Sequence, residues 1–277
     1  MSDRAFTHAI WGAALLVACT FFWLMGDLIW HGVPHLSWQF FISAPANAGR
    51  AGGIAPILVS TLLILAVALA AAIPLGLGAA VWLAEYGRRK VALGRVIRLS
   101  LDVLAGVPSI VFGLFGNAFF SMFLGLGFSI LSGGLTLACM ILPIFIRTSE
   151  AGLSSVGEDW RQSAAALGMT RAAALWHILL PAAAPAIAAG LMLGMGRATA
   201  ETAALIFTSG YVDRMPDSLS DSGRSLAVHI YDLSMNVTGG DAAAYASSLM
   251  LVLLIIAINS GAFALSDRWM TRRITTS

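Results

Sequence analysis

Two residues of opposite charge stand four apart in an otherwise small and apolar run, Gly196-Arg197-Ala198-Thr199-Ala200-Glu201-Thr202. An ionisable group inside a membrane span costs roughly 2.5–3.5 kcal/mol on insertion scales and is a functional candidate by default. The four-residue spacing predicts that Arg197 and Glu201 share one helix face. A guanidinium offers a planar fork of donors suited to an oxyanion, and a carboxylate beside it keeps the pair near neutral, which eases burial. Thr199 and Thr202 add hydroxyl donors. The chemistry this implies is reversible anion binding, with Glu201 taking the guanidinium back when the anion leaves. A structural salt bridge locking two helices would use the same residues, and both readings stay open at this point.

The segment that carries these residues belongs to a chain of 277 residues with 58% hydrophobic and 11% charged side chains and a mean hydropathy of +0.85. Soluble domains carry roughly 25% charged residues, so a soluble enzyme or a disordered scaffold is excluded. A bilayer core needs about 20 apolar residues per helix. Six stretches qualify: 9–30, 54–83, 99–124, 126–146, 184–208 and 246–266. Their continuous apolar character predicts helices rather than barrel strands. The fold expected is an all-α integral membrane protein of about six spans. The first stretch is longer than a signal-peptide core of about 7–15 residues and lacks a clear cleavage site, so it reads as a retained anchor. Pro74 in the long second stretch predicts a tilt, a kink or an interfacial portion.

Basic residues set the expected orientation. With the N-terminus inside, the inner segments hold Arg4, Arg88, Arg89, Lys90, Arg95, Arg98, Arg147, Arg161, Arg171, Arg268, Arg272 and Arg273, against Arg50, Arg214 and Arg224 outside. Both termini are therefore expected in the cytoplasm. Arg147 closes the fourth stretch and reads either as a snorkelling side chain or as an anion contact at the inner mouth. Asp102 is expected near the start of the third span, where the helix dipole favours an acid. Asp27 is expected to be solvated at the outer edge. Cys19 and Cys139 lie in apolar stretches and read as small hydrophobes, with no disulfide framework or metal spacing.

Two hydrophilic segments are long. The outer one, Ser209–Tyr245, is rich in Asp, Ser and Gly, and its portion Ser225–Ser234 predicts a short amphipathic surface helix. It is read as a solvated loop or as a docking surface for an external partner, and its sequon at Asn236-Val237-Thr238 as a fortuitous pattern match. The inner one, Arg147–Pro181, contains two Ala-rich stretches, Arg161–Ala166 and Thr170–Leu179, around Gly168. With Pro181 closing the segment, this predicts a short helix, a turn and a second helix leading into the fifth span. A plain surface hairpin or an element fitting a partner's groove would both look like this.

Here a resemblance enters. Gln162-Ser163-Ala164, then Gly168, then Ile178-Leu179-Leu180-Pro181 keep every spacing of the cytoplasmic loop of ABC importer permeases, Glu-Ala-Ala, three residues, Gly, nine residues, Ile-x-Leu-Pro. Gln162 and Ser163 depart from the Glu and Ala of that pattern, which removes a charge and keeps the small-residue turn. Gly52-Gly53-Ile54-Ala55-Pro56, Leu83-Ala84-Glu85-Tyr86, the run from Ala105 through Pro108-Ser109, Gly113 and Gly116, Leu142–Arg147, and Arg197–Ala204 resemble the permeases of the phosphate-specific ABC importer, in particular the PstA type. The resemblance covers about Leu36 to Asn259.

That resemblance implies a type I ABC importer permease fold with one extra N-terminal helix. Residues 1–53 would be the anchor and outer loop, 54–266 the permease core with its coupling loop at 147–183, and 267–277 a cytoplasmic tail. It implies a bacterial inner-membrane location, a substrate path through Arg197, Glu201, Arg147, Thr199 and Thr202, and an ATPase-coupling loop at Gln162, Ser163, Ala164, Gly168, Ile178, Leu180 and Pro181. Pro108, Ser109, Gly113 and Gly116 are expected in helix packing or a gate, and the small pair Gly190 and Gly194 in close helix contact. The implied partners are a sister permease, two cytoplasmic ATPase subunits, an external phosphate-binding protein, phosphate and the bilayer, with no nucleic acid. The sole lysine, Lys90, sits in Arg89-Lys90-Val91, so no phosphate-cradling Gly-Lys-Ser/Thr loop exists here. No cofactor or metal is expected in this chain, and ATP with Mg belongs to the partner ATPase. The rivals are a permease for another oxyanion or a phosphonate, and a stand-alone secondary transporter or channel, whose inverted half-repeats are not evident.

Overall fold

In hydrocarbon every backbone N–H and C=O must find its partner within the chain, and long helices achieve this without edges. The computed structural model describes residues 3–87 and 91–274. Arg88, Arg89 and Lys90 of the inner basic set lie outside the described residues. The chain forms α1 (Asp3–Gly32), α2 (Trp38–Ile42), a two-residue hairpin of β1 (Pro45–Ala46) and β2 (Ala51–Gly52), α3 (Ala55–Val81), α4 (Val91–Ala105), α5 (Ser109–Gly116) and α6 (Ile130–Ser155). It continues as α7 (Glu158–Ala166), α8 (Arg171–Ala174), α9 (Leu180–Thr199), α10 (Ala203–Ile206), α11 (Leu226–Met235) and α12 (Asp241–Ile274). The small strands pair antiparallel, Pro45 with Gly52 and Ala46 with Ala51.

Five helical segments are long and apolar enough to cross a membrane: Phe6–His35, Ala55–Tyr86, Ile130–Ser155, Arg171–Thr199 and Asp241–Ala264. A sixth arises only if a bent pair, Ala92–Ala105 and Ser109–Phe123, counts as one span. The predicted third span at 99–124 is thus two helices meeting at 101°. Gly106 and Pro108 cause the break: proline lacks the N–H that would continue the ladder and disfavours helix at the residue before it. Hydropathy merged the two because α4 has an apolar face, with Leu93, Val96, Leu99 and Val103 exposed on it. The second stretch runs through Pro74 as one helix and widens into a π-turn at Trp82–Tyr86.

The core is built on α3, α6 and α9. One apolar cluster joins Ile64, Leu65, Ala68 and Ala72 of α3 to Leu137, Met140 and Ile141 of α6, with Phe112, Ala198 and Leu205. A second, at the end where α3 and α6 finish, joins Leu83 and Ala84 to Ile146, Leu153, Leu179 and Leu180. A third closes the opposite end with Phe40, Ile54, Ile57, Leu226 and Ala246. The helix α1 meets this body at its own end, where Gly32 lies against Tyr245 and Leu249. Asp27, expected to be solvated, is half exposed and accepts the Tyr245 hydroxyl at 3.2 Å while pairing with His31 at 3.2 Å.

The outer segment holds the expected short helix as α11, but the helix is sunk into the body. Leu226, Ala227, Val228, His229 and Leu233 are buried, and the Leu226 N–H donates to Thr61 Oγ1 of α3 at 2.9 Å. Ser225 caps it by accepting from Val228 N–H. Arg224 ties the segment together, donating to the Tyr211 carbonyl at 2.8 Å and pairing with Asp232 at 3.2 Å. Among the described residues this makes it an anchored element instead of a free solvated loop. Asn236, in the sequon, donates its side-chain amide to Asp232 at 2.9 Å.

His229 is 1% exposed. Burial, with the Arg224 guanidinium 3.4 Å away, pushes its pKa down from 6.5 to about 4, against the opposing pull of Asp232 and Asp213. The unfolded chain therefore binds a proton here near pH 6.5 that the folded chain refuses until about pH 4. This contribution to stability is complete above pH 6.5 and is lost progressively as pH falls to 4. The unfolding midpoint of the detergent-solubilised protein should drop on acidification through this window, and His229→Gln should flatten that part of the profile. An unchanged profile in His229→Gln would contradict the assignment.

Candidate functional site

The helix that carries Arg197 ends at Thr199, and the chain is non-helical from Ala200 until Ala203. Arg197 and Glu201 therefore do not share a helix face, and the prediction of an i,i+4 pair is corrected. The physical reason lies in Glu201 itself: its carboxylate turns forward and accepts the Ala204 N–H at 3.1 Å, capping α10. Thr202 stands at the N-cap position of α10. Thr199 is buried and donates its hydroxyl back to the Met195 carbonyl at 2.7 Å, so that proton is already committed.

Arg197 itself is partly exposed, and among the described residues it has neither an ion-pair nor a hydrogen-bond partner. Its neighbour Ala198 belongs to the central apolar cluster, which puts Arg197 level with the middle of α3. An arginine in the last turn of α9 also faces the favourable end of the helix dipole. A guanidinium so placed can take an anion without first giving up a carboxylate.

Arg147 differs from expectation as well. It lies inside α6, which runs on to Ser155, because the polar residues after Ile146 continue the helix past the apolar body. Its guanidinium does not snorkel alone. It pairs with Asp102 at 3.0 Å and with Glu150 at 3.2 Å, and Arg98 pairs with Glu150 at 2.5 Å while donating to the Leu83 carbonyl at 3.3 Å. Asp102 lies in the last turn of α4 and not at the start of a span, so Arg147, and not the helix dipole, accounts for it. Glu150, only 5% exposed, is the hub. Arg98, Arg147, Thr148, Glu150, Ala151 and Ser154 line an open cavity of about 570 Å³.

The expected hairpin is present as α7 and α8. The helix α7 ends in paired bonds, Met169 N–H to Ala164 carbonyl and Gly168 N–H to Ala165 carbonyl, both 3.0 Å. This closure needs a left-handed residue, and Gly168 supplies it at φ +73°. Thr170 caps α8 by accepting from Ala173 N–H. Ala164 is buried, Gln162 and Ser163 are exposed, and Ile178 and Leu180 pack toward the inner cluster. The second helix leads into the fifth span as expected, but Pro181 lies in the first turn of α9 and closes nothing. A π-turn at Leu175–Leu179 precedes it, and the chain runs from Arg171 to Thr199 as one helical span.

Pro108 and Ser109 open α5 at the 101° bend. Gly113 lies against Ala204 of α10 and Gly116 against Thr136 of α6, where added Cβ atoms would collide. Gly190 and Gly194 face Thr148 and Ile141 of α6. These glycines serve close helix packing. Sequence reasoning missed Glu85, Arg161, Arg98 and Glu150 as partners; the Arg161–Glu85 pair joins residues 76 apart, which no local spacing reveals. The only available signal was that few charges occur at all, so those at helix ends must find each other.

A bundle of α3, α6 and α9 with a helical hairpin between its two last long spans defines the class of a type I ABC importer permease. Residues 72–272 match the family of the binding-protein-dependent transport system inner membrane component, and the chain belongs to it. It is 32% identical to the probable ABC transporter permease protein YqgI of Bacillus subtilis, over 98% of this chain and 95% of that one. It is 34% identical to the phosphate transport system permease protein PstA 1 of Mycobacterium tuberculosis, over 76% of this chain and 70% of that one. Among solved structures it is similar to an inward-facing MetNI methionine ABC transporter, with a TM-score of 0.62 at 15% identity, covering 77% of this chain and 95% of that one. The chain is a multi-pass permease component, a class that works with ATPase and substrate-binding partners.

Burial separates the two acids of the inner network. Removing Glu150 leaves two guanidiniums without their hub, and Glu150→Ala should cost about 2 kcal/mol of stability. Asp102, whose side chain is 54% exposed, should cost under about 1 kcal/mol as Asp102→Ala. Chemical unfolding in detergent checks the order, and equal costs would contradict it.

Proposed function

We propose that this chain is a permease subunit of a phosphate importer, carrying inorganic phosphate across the bacterial cytoplasmic membrane by alternating access. The observation that carries this reading is Arg197, without a partner among the described residues, at the level of the central cluster and beside the break between α9 and α10. Similarity to phosphate transport system permeases supports it. Phosphate released by an external binding protein enters between this chain and a sister permease and meets Arg197. The planar fork can hold two oxygens at once, and water or neighbouring polar groups complete the shell. Movement of the spans then opens the path toward the inner network, where Arg147 offers a second guanidinium once Asp102 or Glu150 yields it. Thr199 and Thr202 contribute by shaping the break.

In this reading both termini face the cytoplasm, consistent with Arg95, Arg98, Arg147, Arg161 and Arg171 at one end of the bundle. The hairpin from Glu158 to Leu179 faces two ATPase subunits, which hold ATP and Mg. The chain itself breaks no bond. Among the described residues no carboxylate pairs with Arg197, and its partial exposure to water both lowers the cost of leaving it unpaired and weakens its hold on an anion enough for release.

Arg197→Lys keeps the charge and loses the fork. Uptake of labelled phosphate by cells that depend on this transporter should fall about tenfold or more, while protein level and ATPase retention persist. Normal uptake by Arg197→Lys would overturn the assignment.

A further inference from the structure

The helix α7 touches the membrane body through very little. Of its nine residues only Ala164 is buried, while Trp160 in its first turn and Leu167 at the hairpin tip are strongly exposed. Among the described residues, the side-chain hydrogen bonds that tie α7 to the body come from Arg161. Arg161 donates from Nη2 to Glu85 Oε1 at 2.7 Å and from Nε to both Glu85 oxygens at 3.2 and 3.4 Å. The same guanidinium donates from Nη1 to the Val156 carbonyl at 2.7 Å and from Nη2 to the Leu153 carbonyl at 3.0 Å. Glu158 stands 3.9 Å away on the same helix. One guanidinium, 15% exposed, therefore joins α7 to the last turn of α6 and to the end of α3.

Glu85 is delivered to this position by the π-turn at Trp82–Tyr86. The extra residue in such a turn rotates the side chains beyond it by about 100° from their place in a regular helix. On the other side, α8 passes without a break into α9, since Arg171–Thr199 is one helical span. The hairpin is thus joined to α9 by the covalent helix, its later part shares an apolar cluster with Leu83 and Ala84 at the end of α3, and α7 reaches that same end through the Arg161–Glu85 pair. Between the two arms lies a cavity of about 540 Å³ lined by Glu85, Tyr86, Arg161, Gln162, Met169 and Leu175, among others.

We propose that the Arg161–Glu85 pair is the mechanical link through which displacement of the hairpin moves α3 together with α9. Arg161 and Glu85 are positioning residues, touching neither the transported anion nor nucleotide. The proposal rests on the reading of the hairpin as the ATPase-facing element. Without the pair α7 slips against the end of α3 and part of the hairpin's displacement is lost before it reaches the packed helices, so ATP is spent with less opening of the path. Lysine cannot replace Arg161, because a point charge cannot serve a carboxylate and two carbonyls together.

The test uses the assembled transporter, purified through a tag on this chain and reconstituted in proteoliposomes, with uptake of labelled phosphate per ATP hydrolysed as the readout. Glu85→Gln and Glu85→Ala spare the carbonyl bonds of Arg161. In both, ATPase subunits should remain bound and hydrolysis should stay within about twofold of wild type, while uptake per ATP falls about tenfold. In a Cys19→Ser, Cys139→Ala background, the pair Glu85→Cys and Arg161→Cys should regain most of the lost ratio when joined by a short bifunctional thiol crosslinker, which a merely structural role would not predict. A wild-type ratio in both Glu85 variants overturns the proposal. So does failure of the crosslinker to raise the ratio, including where the variants assemble poorly. Leu167→Asp at the exposed tip separates the two readings: if it leaves ATPase binding and uptake intact, the hairpin reading fails, whereas its loss of ATPase binding with normal Glu85 variants condemns the link alone.

Discussion

Glycine lets the backbones of α3 and α6 come closer than any other residue would allow. A Cβ on Gly134 would strike Val67, and one on Gly76 would strike the ring of Phe145. Lipid-facing helices gain little from excluding one another's apolar surface from lipid, so their association depends on such close van der Waals packing and on hydrogen bonds between them. The same device brings in α9, where Gly152 meets Ala186 and Gly190 meets Thr148. Everything functional is hung from this three-helix unit: the inner charges on α6, the hairpin between α6 and α9, and Arg197 at the far end of α9.

Charge is distributed over that unit in two ways. At the end where α3 and α6 finish, three guanidiniums have carboxylates, Arg98 and Arg147 sharing Glu150 and Arg147 also taking Asp102, while Arg161 takes Glu85. Paired charges there are tolerated by burial and hold helices in register. In the middle, Arg197 has no partner among the described residues. Polar groups left unpaired within apolar surroundings are costly, which is why the proposed anion site is placed at Arg197, beside the break between α9 and α10.

Much of this was legible in the sequence, for reasons that are physical. Apolar length is a direct readout of bilayer thickness, so each long helix other than the third was found, the second of them within three residues at both ends. Helix that runs on into polar residues, as to Ser155, and helix that stops inside an apolar run, as at Thr199, displaced other ends by about nine residues. The hairpin was legible because Gly168 supplies the left-handed closure and because its spacing matched a known loop. Hydropathy could not separate α4 from α5, since an amphipathic helix beside an apolar one sums to a single long signal. Nor could it show that the fifth stretch stops being helical at Thr199, because Ala, Thr and Glu are compatible with helix until a side chain caps the next one. Pairings such as Arg161 with Glu85 depend on two helix ends meeting in space, and no local pattern encodes that.

The central claim is that this chain forms part of an ATP-driven path selective for phosphate. Accumulation of labelled phosphate in proteoliposomes holding the chain with its partner permease, ATPase and binding protein tests it most directly, run with and without ATP and in the presence of excess sulfate or molybdate. The account predicts ATP-dependent accumulation that sulfate and molybdate leave intact. Transport by the chain alone without ATP, or accumulation abolished equally by sulfate or molybdate, would contradict it.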